Sequence, residues 1–454
     1  MIKKNDEINL TIDDLTTDGD GIARYNNLVF FVKNALPGDE IVAGVTKIKK
    51  NYGYARIIDF IKKSPDRVSP PFNVHEKCGG CVLQNLSYEA QLKYKEKLVI
   101  SNLSRIGGFN NIKILPIIKS EQPYFYRNKV QYPVRRLKDG KIHYGFYSPH
   151  SHILVPNESC LIQNNEIDEL MKIINNDLNI FNIDCYNEIN GCGYLRHVII
   201  RRSQLNGSFM VGFVINSKNT TPLLPVVNKI KNINNVKSII ANINKDNTNV
   251  ILGNTNKLLY GDEYIIDAIG DIKYKISLNS FFQVNDIQNK VLYDVIDSFA
   301  NFDINDSLID LYCGIGSIGL YLNKKVCKIY GIEIVPSAID DAKYNAKLNN
   351  IDNAEYFWGD ATNVFSAFVK NGIKVDNIIV DPPRKGLSNT LIDDIVNSSP
   401  KNIIYVSCDS ATLSRDLRSF VDKGYIINKI QPVDMFPMTT HVETVVLLTK
   451  NPDR

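Results

Sequence analysis

The sequence predicts an α/β protein whose C-terminal part, residues 276–454, forms a doubly wound, mostly parallel sheet of the Rossmann-like type. Apolar runs typical of buried strands alternate there with helical patterns, which indicates a parallel sheet with helices on both faces. Two β-rich segments precede it. Residues 1–62 have the turn spacing of a small barrel, and residues 63–275 contain mostly short alternating runs. Three domains agree with a length of 454 residues.

Closely spaced turns divide residues 1–62 into short strands. The turns fall at Asp18–Gly21, Tyr25–Asn27 and Leu36–Asp39. Lysines and arginines gather in the second half of the segment, with Tyr52 and Tyr54 among them. Nucleic-acid bases stack on aromatic rings while nearby cations contact phosphates. The pattern therefore predicts either a nucleic-acid surface or a plain solvated basic edge.

Residues 63–275 begin with a linker and a helix. Prolines follow Ser64 and Ser69, and a helical pattern then runs from Tyr88 to Ile106. Its expected buried positions are Leu92, Tyr94, Leu98 and Ile100. Short alternating runs predict strands from about residue 125 to residue 275, with one helix near residues 165–176.

A glycine-rich turn follows the first strand pattern of the C-terminal segment. The run Ser307–Tyr312 leads into Cys313-Gly314-Ile315-Gly316-Ser317-Ile318-Gly319, and Glu333 ends the next strand pattern. A carboxylate about 20 residues beyond the first glycine can bind ribose hydroxyls. NAD and S-adenosylmethionine (SAM) sites share this layout. An Asp-Pro-Pro turn at Asp381, after a later strand pattern, favours SAM over NAD. The reason is that a dehydrogenase has no use for a cysteine nucleophile, such as Cys408, beside that turn.

Three polar side chains follow separate strand patterns further along the chain. Asp381 opens the turn Asp381-Pro382-Pro383-Arg384-Lys385-Gly386, Cys408 follows the run Ile403–Ser407, and Glu443 follows Thr440-His441-Val442. Because open α/β sheets bind ligands at the carboxyl ends of their strands, we expect these side chains to meet at one edge. A thiol nucleophile, a carboxylate base and a polar orienting group suit an addition–elimination reaction. The alternative for Cys408 is an ordinary buried strand cysteine.

Four motifs occur in one order along the C-terminal segment. They are Asp310-Leu311-Tyr312-Cys313-Gly314, Asp381-Pro382-Pro383-Arg384-Lys385-Gly386, Ser407-Cys408-Asp409-Ser410-Ala411-Thr412-Leu413-Ser414-Arg415-Asp416-Leu417 and His441-Val442-Glu443-Thr444. They resemble the SAM-dependent RNA uracil-5-methyltransferases, and most closely the 23S rRNA enzymes of the RumA/RlmD type. Phe281–Asn285 is similar to the segment that begins the family's catalytic domain. Residues 1–62 resemble the TRAM domain, an RNA-binding barrel.

The resemblance implies SAM as the methyl donor and RNA, most closely 23S rRNA, as the substrate. In this scheme the Cys408 thiolate adds to C6 of a uridine, C5 takes the methyl group, and Glu443 removes the C5 proton. The residues that this scheme places around SAM and the uracil edge are Gln283, Tyr312, Gly314, Glu333, Asp360 and Asp381. The family's central domain helps to hold RNA, and the cations that fit this role are Arg127, Lys129, Arg135, Arg136, Arg196, Arg201 and Arg202.

Three other functions stay open at this point. A tRNA uracil-5-methyltransferase would carry the same motifs, since no short motif reads the RNA. A non-catalytic RNA-binding or ribosome-assembly factor would keep the basic surfaces but would need neither Cys408 nor Glu443, whose joint presence speaks against it. An NAD dehydrogenase would need a proton-relay histidine near the glycine turn, which the sequence lacks.

Cys78, Cys81 and Cys160 raise the question of a metal. Many relatives in this family hold a [4Fe–4S] cluster with four cysteines, but the position of the first of these is Phe72 here. His75, in the spacing His-x-x-Cys-x-x-Cys, could instead form a zinc site with Cys160. The third alternative is three unligated thiols.

Charge and hydropathy restrict the class of protein. The formal net charge of +4 is mild, so any RNA surface must be a local patch. No stretch approaches the length of a membrane span, and the N-terminus lacks the apolar core of a signal peptide. We therefore expect a cytoplasmic protein whose eight cysteines are thiols, metal ligands or catalytic groups rather than disulfides.

Overall fold

The computed structural model describes residues 2–70, 77–149 and 151–452. The chain folds into two compact units. The first contains Met1–Leu98, Phe146–Val155 and Phe436–His441, and the second contains Val99–Gly145, Pro156–Met435 and Val442–Arg454. The division into three domains with boundaries at residues 62 and 275 stays a prediction.

Five strands of the first unit close into a barrel in the order β1-β2-β3-β5-β4. The strands are β1 (Glu7–Leu15), β2 (Gly21–Tyr25), β3 (Leu28–Val32), β4 (Glu40–Ile48) and β5 (Tyr52–Lys62). Alternate residues point inward, as on β1, where Ile8, Leu10 and Ile12 are buried between exposed neighbours. Gly53 allows β5 to approach the core, because a Cβ there would lie 2.5 Å from the Phe30 ring. The predicted barrel is confirmed.

The helix predicted from Tyr88 is α1 (Tyr88–Arg105). Of its expected buried positions, Tyr94 is buried, Leu92 and Leu98 are half-buried, and Ile100 is wrong. Ile100 is 51% exposed, whereas Val99 and Leu103 are fully buried. The buried side chains follow helical spacing, which the pair Leu98 and Ile100 does not. Two polar residues on the helix, Gln91 and Lys95, are also fully buried. Gln91 binds the carbonyls of Leu83 and Leu86, and Lys95 donates to that of Phe436.

The middle of the chain forms a seven-stranded sheet in the order β12-β11-β10-β9-β6-β7-β8. Its elements are β6 (Lys129–Arg136), β7 (Ile142–Tyr147), β8 (Leu154–Pro156), α2 (Asn165–Ile180), β9 (Leu195–Arg202), β10 (Phe209–Ile215), α3 (Leu224–Ile230), β11 (Val236–Ile243) and β12 (Thr255–Gly261). A short 3-10 helix at Thr221–Leu223 precedes α3. The predicted helix near residues 165–176 is α2. A separate hairpin of β13 (Tyr264–Ile269) and β14 (Ile272–Ser277) leads into α4 (Asp286–Phe299).

The C-terminal segment forms the predicted doubly wound sheet in the order β17-β16-β15-β18-β19-β21-β20. Its elements are β15 (Ser307–Leu311), α5 (Ser317–Tyr321), β16 (Lys328–Glu333), α6 (Pro336–Leu348), β17 (Ala354–Trp358), α7 (Ala361–Lys370), β18 (Asn377–Val380), α8 (Asn389–Ser398), β19 (Asn402–Ser407), α9 (Ser410–Asp422), β20 (Tyr425–Val433) and β21 (Glu443–Lys450), with a 3-10 turn at Asn323–Lys325. The first five strands of the sheet are parallel, and β21 runs antiparallel to β19 and β20.

The core of this sheet consists of Ile, Leu and Val side chains from its central strands, packed against α7, α8 and α9. Strand order reverses between β15 and β18, where ligands bind in sheets of this type. Across residues 2–70, 77–149 and 151–452, none of the helices combines the length and the apolar character needed to cross a membrane.

Candidate active site

Cys408 and Glu443 face each other across two neighbouring strands. Ser407 at the end of β19 pairs with Thr444 on β21, so the next residues of this antiparallel ladder, Cys408 and Glu443, lie opposite one another. Glu443 begins β21, and the start of an antiparallel strand lies at the same edge as the ends of its parallel neighbours. Two of the side chains predicted to meet at this edge are therefore adjacent.

Asp381 joins this pair from β18. The last residue of that strand, Val380, pairs with Leu311 on one side and with Tyr405 on the other. The Asp381 carboxylate acts electrostatically on both Glu443 and Cys408. Arg384, three residues further along the same turn, also acts on both groups. The turn thus brings one carboxylate and one guanidinium to the site, and the role of Arg384 was not assigned from the sequence.

Burial dominates the titration of these groups. It raises the pKa of the Cys408 thiol to about 11, with a further increase from the charges of Glu443 and Asp381 and a decrease from Arg384. Burial likewise raises the pKa of Glu443 to about 8, with Asp381 adding to the increase and Arg384 opposing it. The pKa of Asp381 rises to about 7 through burial. At neutral pH the site therefore favours a thiol at Cys408 and a protonated Glu443, while Asp381 lies near the midpoint of its titration.

A buried carboxylate fixes the turn that follows Asp381. Asp416 on α9 accepts the Leu387 amide at 2.8 Å and the Tyr405 hydroxyl at 2.7 Å on the same oxygen. Gly386 has φ of +73°, and a Cβ there would lie 2.5 Å from that oxygen, so the turn needs glycine. Arg415 donates to the Lys385 carbonyl at 2.9 Å. The Arg-Asp pair of the third motif is therefore an anchor for the Asp-Pro-Pro turn.

The loop that carries Cys408 is held by the start of α9. Asp409 caps the helix, because its Oδ1 accepts the amides of Ala411 at 2.9 Å and Thr412 at 3.0 Å. The Ser407 hydroxyl bonds the Asp409 backbone. Cys408, itself part-exposed, is thus fixed between a strand end and a helix N-terminus, whose partial positive charge favours a thiolate.

The glycine turn and Glu333 form one hydrogen-bonded unit next to this site. Glu333 ends β16, and its Oε2 accepts the Gly314 amide at 3.1 Å while its Oε1 accepts the Val335 amide at 2.9 Å. Gly314 has φ of +56°, and nothing lies within 4 Å of a Cβ placed there. Tyr312 also has a positive φ, +66°, which is uncommon for a non-glycine residue. This open turn beside an oriented carboxylate fits the ribose and methionine parts of SAM.

Apolar side chains extend the cradle past Glu333. Ile334 is 59% exposed and Trp358 is 67% exposed, and the Trp358 indole donates to the Ile334 carbonyl at 3.0 Å. An exposed flat surface of this kind suits a purine ring. Asp360, one of the residues expected around SAM and the uracil edge, has a structural role that the sequence did not indicate. Its Oδ1 caps α7 by accepting the amides of Thr362 and Asn363.

Gln283 lies on a segment that is bound on two sides. The Gln283 carbonyl accepts the Asn128 side chain at 3.2 Å, next to the start of β6. Two residues on, Asn285 donates to the Met435 carbonyl at 3.0 Å, just beyond the end of β20. The segment therefore joins the middle sheet to the C-terminal sheet and holds Gln283 between them.

The predicted metal ligands are divided between the two units. Cys78 and Cys81 belong to the first unit and Cys160 to the second. Phe72 and His75 lie outside the described residues. Within residues 2–70, 77–149 and 151–452, no group of three His, Cys, Asp or Glu side chains is arranged to hold a metal ion.

A doubly wound sheet with a SAM-type cradle and a nearby cysteine–carboxylate pair defines a SAM-dependent methyltransferase. Residues 228–451 match the family model described as tRNA (uracil-5-)-methyltransferase, and residues 3–58 match the TRAM domain. The chain is 44% identical over 448 residues to an RNA methyltransferase of Halalkalibacterium halodurans, covering 98% of both chains. An RNA methyltransferase of Clostridium acetobutylicum is 42% identical, with 99% of this chain and 98% of the relative covered. The chain belongs to the RNA uracil-5-methyltransferase family.

One solved structure is similar over almost the whole chain. It is the Pyrococcus abyssi tRNA (uracil-54, C5)-methyltransferase in complex with S-adenosyl-L-homocysteine. The identity is 28% and the TM-score 0.78, with 97% of this chain and 100% of that chain covered. Family and structural likeness together confirm the predicted fold class and the predicted use of SAM.

Proposed function

We propose that this protein methylates C5 of a specific uridine in 23S rRNA through a covalent adduct between Cys408 and C6. The observation that carries the proposal is the pair Ser407–Thr444 of β19 and β21, which sets the neighbouring Cys408 and Glu443 opposite each other beside the turn of Asp381. A thiol and a carboxyl held opposite each other suit a reaction that first adds a nucleophile to the ring and later removes a proton.

The first step forms the S–C6 bond. Uracil C5 is a poor nucleophile, but attack by the Cys408 thiolate at C6 pushes the C5–C6 π electrons toward the O4 carbonyl and gives an enolate. The enolate carbon C5 then bonds the methyl group, and the bond between that methyl group and the SAM sulfonium would break to leave S-adenosylhomocysteine. Because the pKa of the Cys408 thiol is about 11, its proton must pass to solvent water as attack occurs. Arg384 assists by stabilising the thiolate.

The second step regenerates the enzyme. The methylated adduct carries both a methyl group and a proton on C5. Glu443 accepts that proton, the C5–C6 double bond re-forms, and the C6–S bond breaks to release Cys408. A Glu443 pKa of about 8 makes the carboxylate a stronger base than an exposed glutamate once it is ionised. Asp381 and Gln283 orient the uracil edge or the methionine end of SAM.

The target base must reach a part-buried thiol. A uridine stacked in a helix cannot do so, and we therefore propose that it is unpaired or flipped out of its stack. The aromatic rings of the barrel, Phe31, Tyr52 and Tyr54, have centroids 5.7–5.8 Å apart and offer stacking surfaces to single-stranded RNA.

A tRNA uridine is the second candidate substrate. It is favoured by the likeness to the Pyrococcus abyssi tRNA methyltransferase, which extends over the whole chain rather than the catalytic sheet alone. Mass spectrometry of rRNA and tRNA from a deletion strain tests both. Loss of one 5-methyluridine from 23S rRNA supports the first candidate, and loss from tRNA replaces it with the second. Unchanged 5-methyluridine in both RNAs contradicts the proposed function.

A [4Fe–4S] cluster on Cys78, Cys81 and Cys160 stays a prediction of the family resemblance alone. No step of the reaction above depends on it. Iron and sulfide analysis of anaerobically purified protein, together with its visible spectrum, is the measurement that decides between a cluster, zinc and free thiols.

A further inference from the structure

The cations of the middle sheet differ in how they are used. Five of the seven predicted to hold RNA bind carbonyls or carboxylates of the protein itself. Arg135 pairs with Glu188, Arg136 donates to the Gly140 and Ile183 carbonyls, Arg196 to those of Asn244 and Asp246, Arg201 to that of Ser280, and Arg202 pairs with Glu166. Groups of the protein itself therefore already compensate these five cations, and their role in holding RNA stays a prediction.

The other two cations, Arg127 and Lys129, lie on one face of the chain. They are two residues apart where β6 begins, and residues at this spacing in an extended strand point the same way. Lys129 pairs with Arg201 on β9, so their side chains share that face. Arg201 donates to the Ser280 carbonyl at 3.0 Å. The face is thus turned toward the segment that carries Gln283.

The residue between the two cations fixes their position relative to that segment. The Asn128 amide donates to the Val284 carbonyl at 2.8 Å, and its side chain donates to the Gln283 carbonyl. Arg127 forms an isolated bridge with Asn285. Both cations therefore stand within one or two residues of the backbone contacts that position Gln283.

The charges on this face do not balance. The carboxylates near it, Asp267 and Asp286, interact with Arg201, and Asn128 also bonds Asp286. Burial lowers the pKa of Lys129 to about 7, and the positive charges of Arg201 and Arg127 lower it further. Within the described parts of the chain, neither the Arg127 nor the Lys129 side chain forms an ion pair or hydrogen bond. An anion placed between them would compensate both charges.

We propose that Arg127 and Lys129 form a binding site for a backbone phosphate of the RNA strand beside the target uridine. The inference rests on the proposed function, since a nucleotide that enters the site brings its own phosphodiester with it. A guanidinium can bind two phosphate oxygens at once, and an ammonium adds a point charge. The site would fix the register of the strand without reading its sequence.

The test compares neutral variants of the full-length protein. Arg127→Gln and Lys129→Gln should each weaken binding of a uridine-containing, single-stranded RNA fragment that the wild type binds, by roughly tenfold at low salt. Each should also reduce the slope of log affinity against log salt by about 0.7–0.9, since one phosphate contact is lost. Lys138→Gln is the matched control, because Lys138 is exposed at the turn between β6 and β7. Arg127→Lys and Lys129→Arg should retain the wild-type slope.

Folding and SAM binding separate the remaining outcomes. Lys129→Gln removes a repelled, part-buried charge, so its melting temperature should not fall. If SAM affinity drops in calorimetry while RNA affinity holds, the site binds the SAM carboxylate and the phosphate assignment is wrong. If both variants bind RNA like Lys138→Gln, the assignment is also wrong while the proposed function stands. If the wild type binds RNA with the expected difference between variants but methylates no uridine, only the proposed function fails.

Discussion

Replacement of Glu443 by Gln should trap the enzyme on its RNA. Glutamine keeps the size and hydrogen-bonding reach of glutamate but cannot accept a proton at neutral pH. Cys408 should still add to C6 and methyl transfer should still occur, but the C5 proton should stay in place and the thioether should persist. The variant should therefore accumulate a covalent complex with natural uridine that carries label from the SAM methyl group.

The size of the effect follows from the burial of Glu443. With a pKa of about 8, roughly one-tenth of the carboxyl is ionised at about pH 7 and nine-tenths at about pH 9. Wild-type proton removal should thus become up to about tenfold faster over that interval, and the variant should lose this dependence. Turnover of the variant should fall by about 10²–10⁴-fold, the usual contribution of a positioned base. Since the Glu443 charge raises the pKa of Cys408, its removal should also let adduct formation begin at lower pH.

The assay uses methyl-labelled SAM and denaturing gels. Wild type should give labelled free RNA, and Glu443→Gln should give a labelled protein–RNA band. The double variant with Cys408→Ala should give neither, which controls for non-specific crosslinking. Normal turnover of Glu443→Gln would show that another group is the base. A slow variant that never accumulates labelled adduct would place Glu443 before methyl transfer and refute the order of steps.

Three further predictions concern the cofactor site, the nucleophile and stability. Glu333→Ala should weaken SAM binding by about 1–3 kcal/mol in calorimetry, because the ribose hydroxyls lose a charged acceptor and the Gly314 amide loses its partner. Unchanged affinity would show that the ribose is bound elsewhere. RNA with 5-fluorouracil at the target should form a SAM-dependent complex stable to denaturation, and Cys408→Ala should abolish it; a surviving band moves the nucleophile elsewhere. Burial raises the pKa of Asp310 to about 7 in the folded protein, above its unfolded value near 3.8. The free energy of unfolding should therefore be highest below about pH 3.8 and should fall as pH rises to about 7, because the carboxyl ionises first in the unfolded chain. In Asp310→Asn, the fall in the free energy of unfolding over this pH range should be smaller than in the wild type by up to about 4 kcal/mol, as measured by denaturant titration. An unchanged pH profile would contradict the burial argument.

The sequence predicted the edge at which the site lies but not the contacts that support it. Strand patterns ending at Asp381 and Cys408 are local features, so their convergence followed from the general geometry of parallel sheets. That Glu443 begins an antiparallel strand directly opposite Cys408 depends on the register of β19 with β21, a long-range pairing that no local pattern encodes.

Partners of charged and polar residues were the least predictable feature. Arginines that resemble a basic surface in the sequence bind carbonyls and carboxylates that are distant along the chain, as Arg201 does with Ser280. The burial of Gln91 and Lys95 on α1 was missed for the same reason, because their carbonyl partners come from other segments. Composition reports the number of charges, whereas only the fold determines which of them are free.

The anchoring of the Asp-Pro-Pro turn by Asp416 has a consequence for how this site can change. One oxygen holds both Leu387, beyond the turn, and Tyr405, on the strand that leads to Cys408. The turn and the nucleophile strand are therefore mechanically coupled, and a displacement of either one moves the other. Substitutions in the surfaces that hold the RNA can therefore change the substrate preference without moving Cys408. Substitutions that change the conformation of the turn would also displace the Cys408 thiol.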